Sequence, residues 1–395
     1  MFRTAILAGL ILSACGGGGG SDTDAAVDAS GPDLSKPPTI DLSQPMPKQL
    51  SAFGFEKWDA DTGKPTFNDA VVPYDINTPL FSDYAVKYRA IYVPPGASAA
   101  FAADGPLAFP VGSVLIKNFV FPADLRAPTT NAKIIETRLL VHYTDGWQAF
   151  PYVWNDEQTD AELMPAGGTR SISFLDKSGV MQTSNYLIPQ KNQCSSCHTK
   201  KPDGATDVVM TPIGPSPRQL HRTFDYGGSI GSVDQLTRLS DAGFLTGLPA
   251  LGTITPEFDF RTIEDDGVAA LSPTDLDRAA RDYLDANCAH CHNPNGTQGV
   301  TSQLFLNYTN TDLFHLGECK EPGSAGLGAG GFKYDIVPGN ADISILAFRI
   351  TTTQPGAIMP LLGRSLVHTR GTELIRTWIN QLAPSDPVNC GLPAQ

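Results

Sequence analysis

The sequence predicts an α+β fold, with an antiparallel β domain in the N-terminal half and a mainly helical region after it. Three observations support this division. Segments 108–117 and 133–141 are rich in β-branched and apolar residues. Asp145-Gly146 stands between two such segments and is typical of a hairpin turn. After residue 190, apolar residues instead recur at the spacing of one helix face.

The strand-rich half, residues 48–190, is predicted to be an antiparallel sandwich or barrel. The segment 133–141 forms one strand, and 148–154 returns beside it after the Asp-Gly turn. A second hairpin is expected around 176–179, where Asp, Lys, Ser and Gly follow each other.

Four helices are predicted in the C-terminal half. Serine followed by proline is a helix start, and serine with glutamine three residues later is a capping box. The predicted helices are Ser216 to Phe224, Ser232 to about Leu245, Ser272 up to Cys288, and Thr372 to Leu382.

The first fifteen residues predict export. Arg3 precedes a short apolar run that ends at Cys15, and this arrangement resembles a bacterial lipobox, in which the cysteine carries the lipid. Residues 1–15 are then the lipoprotein signal and 16–47 a flexible tether. The expected location is the periplasm or the cell surface, anchored in the outer membrane because Gly16 follows Cys15. An ordinary cleaved signal is the alternative, and it also implies export.

The acidic composition excludes one class of partner. The formal net charge is -13, and nucleic-acid binding needs a basic surface. A soluble acidic protein is instead suited to contacts with basic protein partners.

Seven cysteines are present, and five of them belong to the signal or to paired motifs. Cys319 and Cys390 remain. In an oxidising compartment two leftover cysteines predict a disulfide, and two free thiols are the alternative.

Two Cys-x-x-Cys-His motifs carry the chemistry. The first is Cys194, Cys197 and His198, and the second is Cys288, Cys291 and His292. Two thiols at this spacing each add to a haem vinyl group, and the next residue supplies the proximal imidazole. The motifs therefore predict two covalently bound haem c groups. A zinc site or a redox dithiol is the rival interpretation, but neither requires histidine after the second cysteine.

The sixth iron ligand is predicted separately for each haem. Met359 stands in a loop before the last helix, as the ligand loop does in class I cytochromes c, and is predicted as the ligand of the second haem. Trp378 and Ile379 are expected to pack on this haem, and Arg364 to face a propionate or solvent. Met210 is the first candidate for the first haem, and His221, Met181 and His142 stay open. His290 is expected to point outward.

Several segments resemble a family of exported bacterial diheme c-type cytochromes, over about residues 48–385. The segments that carry the resemblance are 72–75, 77–84, 136–141, 152–161, 287–294, 334–339 and 359–365. The resemblance implies covalent haems ligated by His198 and His292 and leaves the redox partner unspecified.

The sequence thus predicts a first haem region at 191–270 and a class I cytochrome c-like second haem domain at 271–395. The expected function is an electron carrier that passes single electrons between redox partner proteins. A diheme peroxidase or oxidase with one open haem iron is the alternative. A third possibility is a β domain that binds a partner or small ligand, with the haems as its redox output.

Overall fold

Alternating apolar residues between 71 and 163 form a six-stranded antiparallel sheet. The computed structural model describes residues 32–202, 204, 206–297, 300, 302–384 and 386–393. The strands found there are β1 (Glu56–Asp59), β2 (Lys64–Phe67), β3 (Val71–Tyr74), β4 (Val86–Tyr92), β5 (Ala99–Ala100), β6 (Val114–Phe121), β7 (Lys133–Tyr143), β8 (Gly146–Trp154), β9 (Ala161–Leu163), β10 (Gly168–Leu175), β11 (Met181–Ile188), β12 (Thr199–Lys200), β13 (Val209–Met210), β14 (Thr223–Asp225), β15 (Ser232–Asp234) and β16 (Leu245–Thr246).

Helices are short and occur mainly after residue 190. The α-helices are α1 (Ser195–His198), α2 (Pro217–Leu220), α3 (Gln235–Asp241), α4 (Arg261–Asp266), α5 (Pro273–Leu284), α6 (Leu313–Leu316), α7 (Ile345–Thr351) and α8 (Thr369–Gln381). The 3₁₀-helices are Leu50–Phe53, Lys191–Cys194, Leu251–Thr253, Val268–Ala270, Gly326–Ala329, Ala341–Ile343 and Val388–Gly391, and Asp285–Ala289 is a π-helix.

The large sheet has the strand order β3-β4-β6-β7-β8-β9, and all its neighbours are antiparallel. Its edges are β3 and β9, so the sheet is open and does not close into a barrel. Tyr143 pairs with Gly146 at the β7–β8 turn, which confirms the predicted hairpin. The second predicted hairpin is confirmed as β10–β11.

Each face of the sheet is covered by different elements. One face packs on the N-terminal segment, where Phe53, Phe55 and Trp58 are buried. The opposite face is covered at one end by residues of α2 and α3 and at the other end by the β10–β11 hairpin. The β10–β11 hairpin leads directly into the first motif described below.

The C-terminal half is built around α5 and α8. Leu276, Tyr283, Leu374 and Trp378 are among the buried side chains of its apolar core, and Cys288 packs against it. Ser272 accepts a hydrogen bond from the Asp275 amide, which confirms the predicted start of α5.

The predicted fold class is wrong in its second part. The protein is mostly β-strand, with a six-stranded antiparallel sheet, and only 24% of it is helical, so the region after residue 190 is not mainly helical. Apolar spacing correctly located α5 and α8, but between residue 190 and α5 the chain forms loops, short helices and five two- or three-residue strands. The capping box at Ser232 is also wrong, because Ser232 lies in β15 and Asp234 caps α3.

The described residues form one compact unit. Within the predicted tether, Ile40, Leu42 and Met46 pack against the first face of the sheet. The predicted signal at residues 1–15, the lipid site Cys15 and residues 16–31 lie outside the described part of the chain. Among the described residues, no helix combines the length and the apolar character that a membrane span requires.

Candidate functional site

The first Cys-x-x-Cys-His motif follows directly after β11. Gln190 and Gln193 make reciprocal capping bonds at the 3₁₀-helix, and Cys194 is the residue before α1. Lys191 fixes this turn to the sheet, since its ammonium lies 4.1 Å from the ring centre of Phe150 on β8. The chain therefore enters this motif from the extended strand β11.

The imidazole of His198 has a defined orientation. Its Nδ1 lies 3.0 Å from the carbonyl oxygen of Thr211, and the Thr211 amide donates back to the His198 carbonyl at 2.6 Å. Burial lowers the pKa of His198 to about 3, and the charges of Lys117 and Arg138 contribute. A neutral ring with Nδ1 protonated presents its Nε2 lone pair to a metal.

The second motif continues from α5. The helix widens into the π-helix Asp285–Ala289, which contains Cys288. Asn287 holds this turn, because its side chain donates to the Tyr283 carbonyl at 3.1 Å and accepts from the Phe81 amide at 2.8 Å. The bond to Phe81 ties the motif to the N-terminal half.

His292 is held in the same manner as His198. Its Nδ1 lies 3.2 Å from the hydroxyl of Ser302, and burial is the main cause that lowers its pKa to about 4. Lys320 donates to the Ser302 carbonyl at 2.7 Å and pairs with Asp335 at 3.1 Å. This buried ion pair fixes the residue that orients the imidazole.

The two motifs meet in the folded chain. The ligand atoms of Cys197, His290 and Cys291 all lie within 4.8 Å of one another. The Cys291 thiol also lies 3.4 Å from the Ser196 carbonyl. The sequence did not predict this contact, because residue spacing says nothing of a tertiary contact between loops.

Backbone contacts reinforce the junction of the motifs. The Lys201 amide donates to the Asn295 carbonyl at 2.9 Å, and the Thr199 and Thr297 hydroxyls lie 3.5 Å apart. The segments that follow each histidine therefore bind each other directly, and the sulfur contact is not an isolated approach.

The hydrogen bond between the two thiols of the cluster shifts their pKa values in opposite directions. The pKa of Cys197 is raised, first by its hydrogen bond with Cys291 and then by burial, and the same bond lowers the pKa of Cys291. His290 is turned into this cluster, not outward as predicted from the sequence. Its Nδ1 is buried without a hydrogen-bond partner among the described residues.

The Met359 loop lies beside the second motif. The Met359 amide donates to the Arg349 carbonyl at 3.0 Å. The charge of Arg349 also lowers the pKa of His292, although burial has the larger effect. Arg364 was expected to face a haem propionate or solvent. Instead, its guanidinium donates hydrogen bonds to four backbone carbonyls of the loop. These belong to Met359, Leu366, Arg349 and Thr352.

Met210 lies next to the first motif, across the short β12–β13 ladder. It pairs with Thr199, and the next residue, Thr211, binds the Nδ1 of His198. The backbone of Met210 is therefore one residue from the carbonyl that binds Nδ1. Met210 also lines a cavity of about 470 Å³ beside the motif, together with Ser195 and four other residues.

The structure also describes the surroundings of the other three candidate ligands of the first iron, His142, His221 and Met181. The Nδ1 of His142 lies 2.9 Å from the carbonyl oxygen of Phe109. The Nδ1 of His221 lies 3.0 Å from the carbonyl oxygen of Ile254. Met181 is 61% exposed on β11.

Two further expectations concern the region around the second motif. Cys319 and Cys390 form a disulfide, as predicted. Trp378 and Ile379 are buried in the apolar core against which Cys288 packs, and the Trp378 indole donates to Asp277 at 2.8 Å.

No known family model, curated protein or solved structure matches the chain.

Proposed function

We propose that this chain is an exported diheme c-type cytochrome that transfers single electrons between redox partner proteins. One observation carries the proposal: two Cys-x-x-Cys-His motifs converge, and in each of them the histidine has its Nδ1 held by a protein oxygen. The resemblance of the sequence to exported diheme cytochromes points in the same direction.

The residues present suit covalent haem. All four motif cysteines are free and half-buried, so their thiols are available for thioether bonds. Among the described residues, no protein group hydrogen-bonds the Nε2 of His198 or His292. Both rings have lowered pKa values, so at neutral pH they are uncharged and suited to ligation. A bound haem supplies an iron that cycles between ferric and ferrous states.

The convergence of the motifs favours electron exchange within the protein. Cys197 and Cys291 are attachment points for different haems, and their sulfur atoms lie within 4.8 Å. The chain therefore anchors the two cofactors at adjacent points, which suits the passage of an electron from one to the other.

We assign Met359 to the second haem as the sixth ligand. Its loop is attached to Arg349 and Arg364, and both arginines act electrostatically on the second motif, on His292 and Cys288 respectively. A thioether ligand raises the potential and closes the iron to exogenous ligands, as an electron carrier requires.

The alternative, a peroxidase or oxidase with an open first iron, is favoured by the position of Met210. A distal ligand must approach from the Nε2 side of His198, whereas the backbone of Met210 is one residue from the carbonyl that binds Nδ1. Titration of the reduced protein with carbon monoxide separates the two functions, because binding at one haem rejects the pure carrier and no binding rejects the enzyme.

A metal site at Cys197, His290 and Cys291 is a competing use of the same sulfurs. Structural zinc takes four ligands, and three potential ligands are grouped here among the described residues. A sulfur in a thioether bond is no longer a thiolate, so haem attachment and this metal site exclude each other.

The proposal is tested by haem counting. The full chain is expressed with the c-type maturation machinery, and covalent haem per chain is measured by the pyridine haemochrome after denaturation. We expect two haems, and one after alanine replaces both cysteines of either motif. The matched control replaces Cys319 and Cys390 by alanine and keeps two haems. Absence of covalent haem together with bound zinc would reject the proposal.

We also propose export and a lipid anchor on Cys15, at the periplasm or cell surface and in the outer membrane. The Cys319–Cys390 disulfide supports an oxidising compartment. Metabolic labelling with a palmitate analogue tests the anchor, with Cys15→Ala as the variant that loses the label.

A further inference from the structure

We propose that Lys117, with Lys87 and Arg138, binds the propionate carboxylates of the first haem. This inference rests on the proposed function and concerns a site on the sheet, outside both Cys-x-x-Cys-His motifs. Its basis is a row of cations on the sheet, two of which are lysines that form no ion pair among the described residues.

The sheet register aligns these cations. Lys117 on β6 is directly opposite Arg89 on β4 and Arg138 on β7. Lys87 is two residues before Arg89 and so projects from the same face. Directly opposed residues have Cβ atoms about 4.5–5.5 Å apart, so four cations occupy one small area across three strands.

Two of the four cations are paired and two are not. Arg89 pairs with Asp75 at 3.0 Å, and Arg138 pairs with Glu136 at 2.5 Å. Lys87 donates only to a backbone carbonyl at 3.2 Å, and the Lys117 ammonium lies 5.1 Å from the centre of a phenylalanine ring. Among the described residues, no carboxylate lies within ion-pair distance of either lysine.

Other charges near these lysines do not remove the imbalance. Asp83 attracts Lys87 and Glu136 attracts Lys117, but Asp83 already accepts four hydrogen bonds and Glu136 is bound to Arg138. Burial and the neighbouring cations lower the pKa of Lys87 to about 7 and that of Lys117 well below its ordinary value. In the unliganded chain the charged form of these lysines is therefore destabilised, because neither has a carboxylate partner on this half-buried face.

The four cations lie on the sheet face between the cluster under α2 and α3 and the cluster under the β10–β11 hairpin. This hairpin leads directly into the first motif. Arg138 donates to the hydroxyl of Tyr186 on β11 at 3.4 Å. Arg138 acts electrostatically on the Cys194 thiol, and Lys117 and Arg138 act on the His198 ring. A haem joined to Cys194 and Cys197 brings two carboxylates, the charge that this face lacks. Both lysines are half-buried, so a small anion suits them better than a folded protein partner.

The test measures the midpoint potential of each haem in the full-length, haem-loaded protein by spectroelectrochemical titration. Lys117→Met and Lys87→Met each remove a positive charge and keep the apolar stem. The ferric haem has one more positive charge than the ferrous haem, so a lost cation stabilises the ferric form. We expect the potential of one haem to shift to a more negative value, while the other changes little.

The controls separate charge from structure. Lys64→Met, on exposed β2, should leave both potentials unchanged. Lys117→Arg keeps the charge and should restore the potential lost in Lys117→Met, so a variant that merely disturbs folding is recognised. The haem-free chain provides a second readout. There Lys117→Met should raise the melting temperature, because an apolar side chain replaces a desolvated amine that has no carboxylate partner.

Two outcomes overturn different claims. Unchanged potentials in both methionine variants, with two covalent haems still counted, reject the propionate site and leave the proposed function standing. Failure of the wild-type chain to acquire covalent haem rejects the proposed function and the propionate site together.

Discussion

The side chains of Cys197 and Cys291 lie within 4.8 Å of each other, sulfur to sulfur, although they belong to different Cys-x-x-Cys-His motifs. Hydrogen bonds between the segments that follow, such as Lys201 to Asn295 at 2.9 Å, fix this approach. In a chain that carries haem at both motifs, the two cofactors are thus anchored side by side.

Adjacent haems are expected to interact optically. Two transition dipoles at short range couple, so the Soret circular dichroism of the wild-type protein should show a paired positive and negative signal. Variants with alanine at both cysteines of one motif should lose this pair. The prediction is contradicted if the wild-type spectrum equals the sum of the two single-haem spectra.

The sequence identified the motifs, the β7–β8 and β10–β11 hairpins and the start of α5, because each depends on residues close together in the chain. It could not predict the contact of Cys197 with Cys291, since that contact depends on how two loops meet in three dimensions. The helical content was overestimated because the helix-start signals at Ser216 and Ser232 belong to helices of only four and seven residues, which are flanked by short strands and loops.

The residues that orient the imidazoles also escaped prediction. Thr211 binds His198 through a backbone carbonyl, which leaves no trace in residue identity. Ser302 binds His292 with its side chain, but a serine in a polar loop carries no distinctive signal. The cluster of cations around Lys117 could not be predicted either, because it depends on the strand register that places Arg89 and Arg138 on either side.

Met359→Ala is expected to convert the second haem from six-coordinate low-spin to high-spin iron. Alanine has no thioether, and the loop cannot supply another sulfur at that point. The change should appear in the visible spectrum and in electron paramagnetic resonance. Met181→Ala, at an exposed methionine, is the matched control and should leave the spectrum of the second haem unaltered. An unaltered spectrum in Met359→Ala would exclude this residue as the ligand.

Asp83→Ala should loosen the Met359 loop. The Asp83 carboxylate accepts bonds from the Ser365 amide at 2.7 Å, the Leu366 amide at 2.9 Å and the Ser184 hydroxyl at 2.5 Å, which ties the loop to the N-terminal half. Hydrogen bonds to a charged group contribute about 1.5–3 kcal/mol each, so the expected loss of stability is on the order of 3 kcal/mol.

The loosened loop should also admit exogenous imidazole to the second haem, with affinity raised about tenfold for each 1.4 kcal/mol by which Met359 ligation is weakened. Spectral titration with imidazole measures this gain. Asp104→Ala, at an exposed position, serves as the control. Equal imidazole affinity in Asp83→Ala and the wild type would mean that Asp83 does not support the ligand loop.

The disulfide between Cys319 and Cys390 should stabilise the folded chain because it lowers the conformational entropy of the unfolded chain. Its cysteines are 71 residues apart, and closing a loop of that length corresponds to about 4 kcal/mol in the chain-entropy description. Replacement of both cysteines by serine should lower the free energy of unfolding by about 2–4 kcal/mol in denaturant titration. The same loss should follow reduction of the wild-type protein, and a reductant should have no effect on the double variant.

Glu56→Gln should change how stability depends on pH. Burial raises the pKa of Glu56 to about 7 from the ordinary value of 4.5, although Asn118 donates to its carboxylate at 2.7 Å. Between these pH values the folded chain retains a proton that the unfolded chain has released, so this residue makes the protein less stable as pH rises through that range.

Glutamine is neutral throughout, and its carbonyl can still accept from Asn118. The variant should therefore be more stable than the wild type at pH 8, by roughly 1–3 kcal/mol, and nearly equal to it at pH 4. Denaturant unfolding across this pH range measures the difference, and parallel curves for the two proteins would show that Glu56 does not retain its proton in the folded chain.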